Sequence, residues 1–290
     1  MRLLSFGIRA LLNVGLLVAL TTGTIQCVRG QRVASVDRSE TITFSAVSDL
    51  TKPSGVETAL RHARLANPSD WPASFYSVHP GGSCTSTLIG PRALLTAAHC
   101  APERATVVIR MAGKVYKGIC SQSDSYLSDP SADWAICLMD IDIPIFRYET
   151  VNLDASRIKI NTQLLLTGFG CTEATGTGGN DGNYRIGEAN VTKLPSGVDN
   201  DIQTTGDVAL CFGDSGGPAF FFLDAGKKRR VQVSVNSRIS PGTNGNLGNT
   251  SYLSSLSTNA ARTFLQGWAA KNAAEICGVN LSTSASKCQH

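Results

Sequence analysis

Charge is scarce in this chain: 17% of its 290 residues are Asp, Glu, Lys or Arg, and the formal excess of +4 is spread thinly. A balance so diffuse argues against a nucleic-acid partner, which needs a basic stripe or patch. Histidine is scarcer still, at four residues. His62, His79, His99 and His290 are scattered, and no Cys/His spacing suits zinc, so no metal is expected. Nothing resembles a nucleotide-binding loop, and no cofactor is implied. A long apolar run is missing as well. The longest candidate, Leu11 to Leu20, falls short of the ~20 residues that a spanning helix needs. That excludes stable membrane insertion by a retained anchor.

Ser, Thr, Gly and Asn are plentiful instead, the composition of short strands joined by many turns. Met1 to Gly30 reads as a secretory signal, with Arg2 and Arg9 ahead of the apolar run and a cut after Val28-Arg29-Gly30. Lipid attachment at Cys27 is disfavoured by Gln26 before it. The chain has nine cysteines, and losing Cys27 with the signal leaves an even set for bridging in an oxidising compartment. The expected location is secreted or periplasmic.

One stretch organises the rest: Cys211-Phe212-Gly213-Asp214-Ser215-Gly216-Gly217-Pro218. A serine hydroxyl is a poor nucleophile until a base takes its proton, and acyl transfer needs N–H donors for the oxyanion. Glycines around Ser215 let the backbone curl so that the N–H groups of Gly213 and Ser215 point the same way. Alone, this motif is as readily a glycine-rich turn between strands. Two other segments decide between these readings. Leu94-Leu95-Thr96-Ala97-Ala98-His99-Cys100 carries a histidine at the end of an apolar strand, and Asp133-Trp134-Ala135-Ile136 carries an aspartate at the head of another. The order is His99, Asp133, Ser215.

With these three motifs the chain resembles the trypsin-like (chymotrypsin-fold) serine protease family. The resemblance implies an all-β fold of two six-stranded antiparallel Greek-key barrels packed together, with a C-terminal helix. His99 is then the general base, Asp133 its orienting partner and Ser215 the nucleophile. Gly213 and Ser215 form the oxyanion hole, and the Cys84–Cys100 disulfide pins the histidine loop. Further pairs expected are Cys120–Cys137, Cys171–Cys211 and Cys277–Cys288. Asp214 would meet the amine freed by an activation cut. The family's usual apolar start, Ile-Val-Gly-Gly, is absent, and Arg61 and Arg64 are the candidate cut sites. Where a trypsin has an aspartate at the pocket floor stands Ala209, followed by Leu210. Ser234 is matched to the serine beside the triad aspartate, and Asn236 and Thr250 to two wall glycines. Small or medium apolar residues are therefore expected before the cut.

The expected organisation is a signal peptide over 1–30, a propeptide over 31–64, a protease domain over 65–275 and a tail over 276–290. Strands are expected from Trp71 onward: Ser86–Ala97, Thr106–Met111, Lys114–Cys120, Trp134–Met139, Gln163–Thr167, Ala219–Leu223 and Val231–Val235, with a helix over Asn259–Ala274. Cys171 to Asn183 reads as a solvated loop. Lys227-Lys228-Arg229-Arg230 reads as a hairpin tip in preference to a polyanion site. Protein or peptide substrates and protein protease inhibitors are the partners implied, for a monomer. Two other functions are weighed, a catalytically silent trypsin-like binding or signalling module and a hydrolase acting on esters.

Overall fold

The computed structural model describes residues 41–46, 60–79, 82–176, 178, 181–282 and 285–289. The signal peptide, Cys27, His290 and most of the expected propeptide lie outside the described residues.

Two closed sheets carry the chain. The first is a barrel of β1 (Thr41–Ala46), β3 (Ser74–His79), β4 (Gly82–Gly90), β5 (Ala93–Thr96), β6 (Thr106–Met111), β7 (Lys114–Gln122) and β8 (Ala135–Met139). Around the barrel the order is β1-β3-β4-β5-β8-β7-β6, with β1 also paired to β6. The second contains β9 (Gln163–Gly168), β10 (Arg185–Lys193), β11 (Asp201–Thr205), β12 (Pro218–Phe222), β13 (Arg230–Pro241) and β14 (Leu247–Ser255). It closes through the β10–β11 pairing, and β2 (Arg64–Leu65) adds a short edge to β10. A C-terminal helix, α1 (Asn259–Asn272), is capped by Thr258, whose hydroxyl accepts from the Ala261 N–H. Its Ala261, Leu265, Trp268 and Ala269 are buried in the first barrel's core.

The two-barrel expectation holds, with one change: the first barrel has seven strands. The added strand is β1, which lies inside the span expected as a propeptide. It runs parallel to β6 and antiparallel to β3, so both its edges are hydrogen-bonded. Ile42, Phe44 and Ala46 alternate into the core, none more than 3% exposed. That period-two pattern is six residues long and sits in a Ser/Thr-rich stretch, so composition hides it. Strands β10, β11 and β14 are also unexpected, for a related reason. Their buried positions mix Val191, Ile202 and Leu253 with small or polar residues, among them Ala189 in β10 and Ser251, Ser254 and Ser255 in β14, which dilutes the apolar alternation.

An aromatic cluster joins the barrels. Trp71, Tyr76, Phe169, Tyr184 and Phe220 are buried together, with ring centroids 4.8–5.5 Å apart. Arg230 lies over Trp71 at 3.9 Å and pairs with the buried Glu149. At the β12–β13 tip Lys227 faces Glu188 and Arg229 faces Asp224, so this basic run is largely matched by carboxylates. All four expected cysteine pairs are bonded.

Candidate active site

His99 follows β5 by three residues, in a turn closed by the Cys100 N–H donating to the Ala97 carbonyl. The Cys84–Cys100 disulfide ties that turn to β4. The imidazole side chain is about a third exposed at 36%, whereas Asp133 is buried. His99 Nδ1 lies 2.7 Å from Asp133 Oδ2, and the His99 backbone N–H donates to Asp133 Oδ1 at 2.9 Å. Ser237 Oγ donates to the same Oδ2 at 2.7 Å. Burial alone would raise the Asp133 carboxyl, but these hydrogen bonds and the charge of His99 outweigh it and hold the group below the usual carboxylate range. The carboxylate therefore stays ionised and keeps Nδ1 in its N–H form, which leaves Nε2 free to act as a base.

Ser215 comes from the other barrel, on the turn before β12. The turn is fastened to β4: the Thr85 N–H donates to the Ser215 carbonyl at 2.7 Å, and Thr85 Oγ1 to the Gly213 carbonyl at 2.8 Å. Gly213 and Gly216 have φ of 107° and 81°, which favours glycine, and a Cβ on Gly216 would strike Thr96 Oγ1. His99, Asp133, Gly213, Ser215 and Ser237 line one cavity of about 500 Å³. Thus His99, Asp133 and Ser215, expected from three separate motifs, share one site.

Asp214, next to the nucleophile, is fully buried. Its Oδ1 accepts from the Gly170 N–H and its Oδ2 from the Cys211 N–H, both at 2.7 Å. Burial pushes this carboxyl up to about 7, against the lowering effect of those N–H groups and of the Arg185 charge. Gly168 and Gly170 leave it room, since a Cβ on either would collide with the carboxylate.

Four pocket expectations need correction. Ser234 does not reach Asp133: it is buried beside Ala219 and Ser255, and its hydroxyl has no partner. The serine on Asp133 is Ser237, three residues later. The cause is a bulge. In the β13–β14 ladder Asn236 faces Leu253 and Arg238 faces Tyr252, leaving Ser237 as the extra residue, turned toward the triad. Asn236 is likewise no cavity wall: its side-chain amide donates to the Thr167 carbonyl at 2.9 Å, fully buried behind the nucleophile turn. Thr250 Oγ1 lies 3.2 Å from Thr205 Oγ1 on an exposed face. Leu210 does line the cavity, while Ala209, expected as its floor, does not: it is fully buried and bridged to Arg61. The lining residues missed by sequence reasoning include Tyr126, Phe212, Arg238 and Ile239. The only signal for the last two was the bulge, which sequence does not display.

Residues 61–222, more than half of the chain, match the family Trypsin. The chain belongs to the trypsin family. Among solved structures, human heparin binding protein (CAP37) is similar at 20% identity and a TM-score of 0.54, over 71% of this chain and 95% of that one. A doubly substituted form of that human protein aligns over 73% of this chain and 97% of that one, at 20% identity and a TM-score of 0.54. The secreted serine protease VesC from Vibrio cholerae aligns at 18% identity and a TM-score of 0.47, over 67% of this chain and 46% of that one. No curated protein sequence matches the chain. The fold is that of the trypsin family's serine-protease-type hydrolases.

Proposed function

We propose that this trypsin-family protein is a secreted serine endopeptidase working through an acyl-enzyme on Ser215. The observation that carries the reading is the hydrogen-bonded chain from Ser237 through Asp133 to His99, on the cavity that also holds Ser215. His99 Nε2 takes the Ser215 proton as Oγ attacks the peptide carbonyl carbon. The oxyanion is received by the N–H groups of Gly213 and Ser215, for which no acceptor exists among the described residues. Collapse breaks the C–N bond, with His99 returning the proton to the leaving amine. Water, activated by the same base, then releases the acid.

The cavity supports a preference for small or medium apolar side chains before the cut. Its walls include Leu210, Phe212 and Ile239, and its only carboxylate is Asp133, already held by His99 and Ser237. Burying an unpaired Lys or Arg there costs several kcal/mol, whereas each apolar methylene buried gains about 0.8 kcal/mol. Four disulfides support export. Protein substrates and protein protease inhibitors are the partners this cleft fits.

For maturation, the contacts of Arg61 and Arg64 support a cut upstream of both over a cut at either. The Arg61 N–H bonds to the Ala209 carbonyl, and its guanidinium holds Leu247, Gly248 and Asn249. Arg64 is in β2 and pairs with Glu188. Leu60 ahead of them is fully buried in the second barrel's core. A cut that frees an amine for Asp214 therefore belongs between Ala46 and Leu60, in residues 47–59, outside the described residues.

A labelled serine-directed phosphonate tests the central reading. Labelling at Ser215 together with peptide cleavage is the expected result. An unlabelled, folded protein would instead make it a silent binding or signalling module, and labelling with ester but no peptide hydrolysis would make it an esterase.

A further inference from the structure

Arg238 follows the bulged Ser237 and, among the described residues, is the only Lys or Arg that lines the catalytic cavity. Its guanidinium makes contacts in two directions. Toward the first barrel, Nη1 donates to the Pro130 carbonyl at 2.7 Å, three residues ahead of Asp133, and lies 3.4 Å from Ser237 Oγ. Toward the second barrel, Nη2 pairs with the buried Asp201, and the group stands 5.0 Å from the Tyr252 ring centroid. Asn200, adjacent to Asp201, makes a second tie to the same loop. Its N–H donates to Ser131 Oγ at 2.8 Å and its side-chain amide to Asp129 Oδ2 at 2.8 Å.

We infer that Arg238 is a positioning residue: it fastens the Asp129–Asp133 loop of one barrel to the Ser237 strand of the other and so sets the Asp133–His99 alignment against Ser215. The inference rests on the protease reading and deepens it. The base and the nucleophile belong to different barrels, so their separation depends on how firmly the barrels are joined near Asp133. Arg238 and Asn200 make that join to the loop itself, beside the Ser237–Asp133 bond and the Trp134 Nε1–H that donates to the Ser254 carbonyl. Arg238 also touches the hydroxyl that donates to Asp133, which orients Ser237 from its acceptor side. A role in reading an acidic substrate side chain fits less well, because the Arg238 charge is already matched by Asp201.

The test compares wild type with Arg238→Met, Arg238→Lys and Asn200→Ala, measuring kcat and KM separately on one peptide substrate, with thermal melting as the check of folding. Arg238→Met is expected to lower kcat by about ten- to a hundredfold, the scale of an ångström-sized misplacement, with KM nearly unchanged. Arg238→Lys should recover part of the loss. Asn200→Ala should act in the same direction, and the double variant should depart from the product of the single losses, since both ties hold one loop. Wild-type kcat in folded Arg238→Met overturns the inference. A rise in KM with kcat intact overturns it too, making Arg238 a substrate contact. If Arg238→Met does not fold, Arg238→Lys and Asn200→Ala decide, and unchanged kcat in both is the overturning result. Failure of the phosphonate to label wild type strikes at the protease reading instead.

Discussion

Asp133 is buried and ionised, and its two oxygens serve His99 and Ser237 at once. Replacing it with asparagine keeps the shape but presents an amide where a carboxylate held Nδ1–H. Turnover of Asp133→Asn should fall by about four orders of magnitude, and a loss below tenfold in steady-state assays would mean another acid does this work. Ser215→Ala should fold and be exported normally while losing nearly all peptidase activity. Between the two candidate serines, Ser237→Ala should slow turnover and Ser234→Ala should leave it untouched, a contrast that the same assays read directly. Asp214 gives a pH prediction. Its folded carboxyl, pushed up to about 7, holds a proton that the unfolded chain has released above the ordinary carboxylate range. The folded state then binds more protons than the unfolded one, so in the uncleaved chain this group makes stability fall as pH rises toward about 7 and level off above it. Urea melts at pH 5 and pH 8 should show the slope, and Asp214→Asn should reduce it to the part left by Asp201, whose carboxyl burial also pushes up, to about 6. After activation an ammonium partner removes the cause at Asp214, so the slope should fall to that same part in the cleaved form.

Strand β1 is the element that most changes the picture of maturation. It precedes the proposed cut yet is hydrogen-bonded on both edges, with Phe44 fully buried. Phe44→Ala should destabilise the protein by about 3–5 kcal/mol, measured by denaturant melts, and deletion of residues 41–46 should prevent folding. After cleavage within 47–59 the upstream piece should remain bound, so N-terminal sequencing of native active protein should return two starts in equal amounts. A single start at the downstream piece in active protein would show that the barrel closes without β1. The strands that sequence reasoning located are those whose inward faces are Val, Ile, Leu and Phe. The strands it passed over mix a few apolar inward residues (Ile42 and Phe44 in β1, Val191 in β10, Ile202 in β11, Leu253 in β14) with buried Ala, Ser and Thr, and their place comes from neighbours aligned on either side. The bulge at Ser237 belongs here as well: it turns toward Asp133 a serine three positions after the one that the Val-Ser-Val pattern picked out.

At the scale of the whole molecule, the cleft is made by apposing two barrels with separate cores, joined by the aromatic cluster and the loop ties beside Asp133. Specificity should follow from what that cleft offers. Peptide-library profiling should show cleavage after small or medium apolar residues and little after Lys or Arg. Ile239→Gly should widen the accepted set toward larger side chains, because Ile239 lines the cavity beside Leu210 and Phe212. Dominant cleavage after Arg would require a carboxylate other than Asp133, which His99 and Ser237 already hold.

The three segments that meet at one cavity, and their chain order, were legible in the linear sequence, because each is a short motif whose residues lie next to one another; the four disulfide pairs followed from the family resemblance. The register of Ser237, the cavity walls and the seventh strand were not. Each depends on which distant residues face it, and a bulge or a buried polar position leaves no periodic trace along the chain. Sequence determined the chemistry available to this protein; the tertiary structure decided which serine supports Asp133, what lines the pocket and which part of the N-terminal stretch closes a barrel, because those are properties of packing between barrels and not of any one segment.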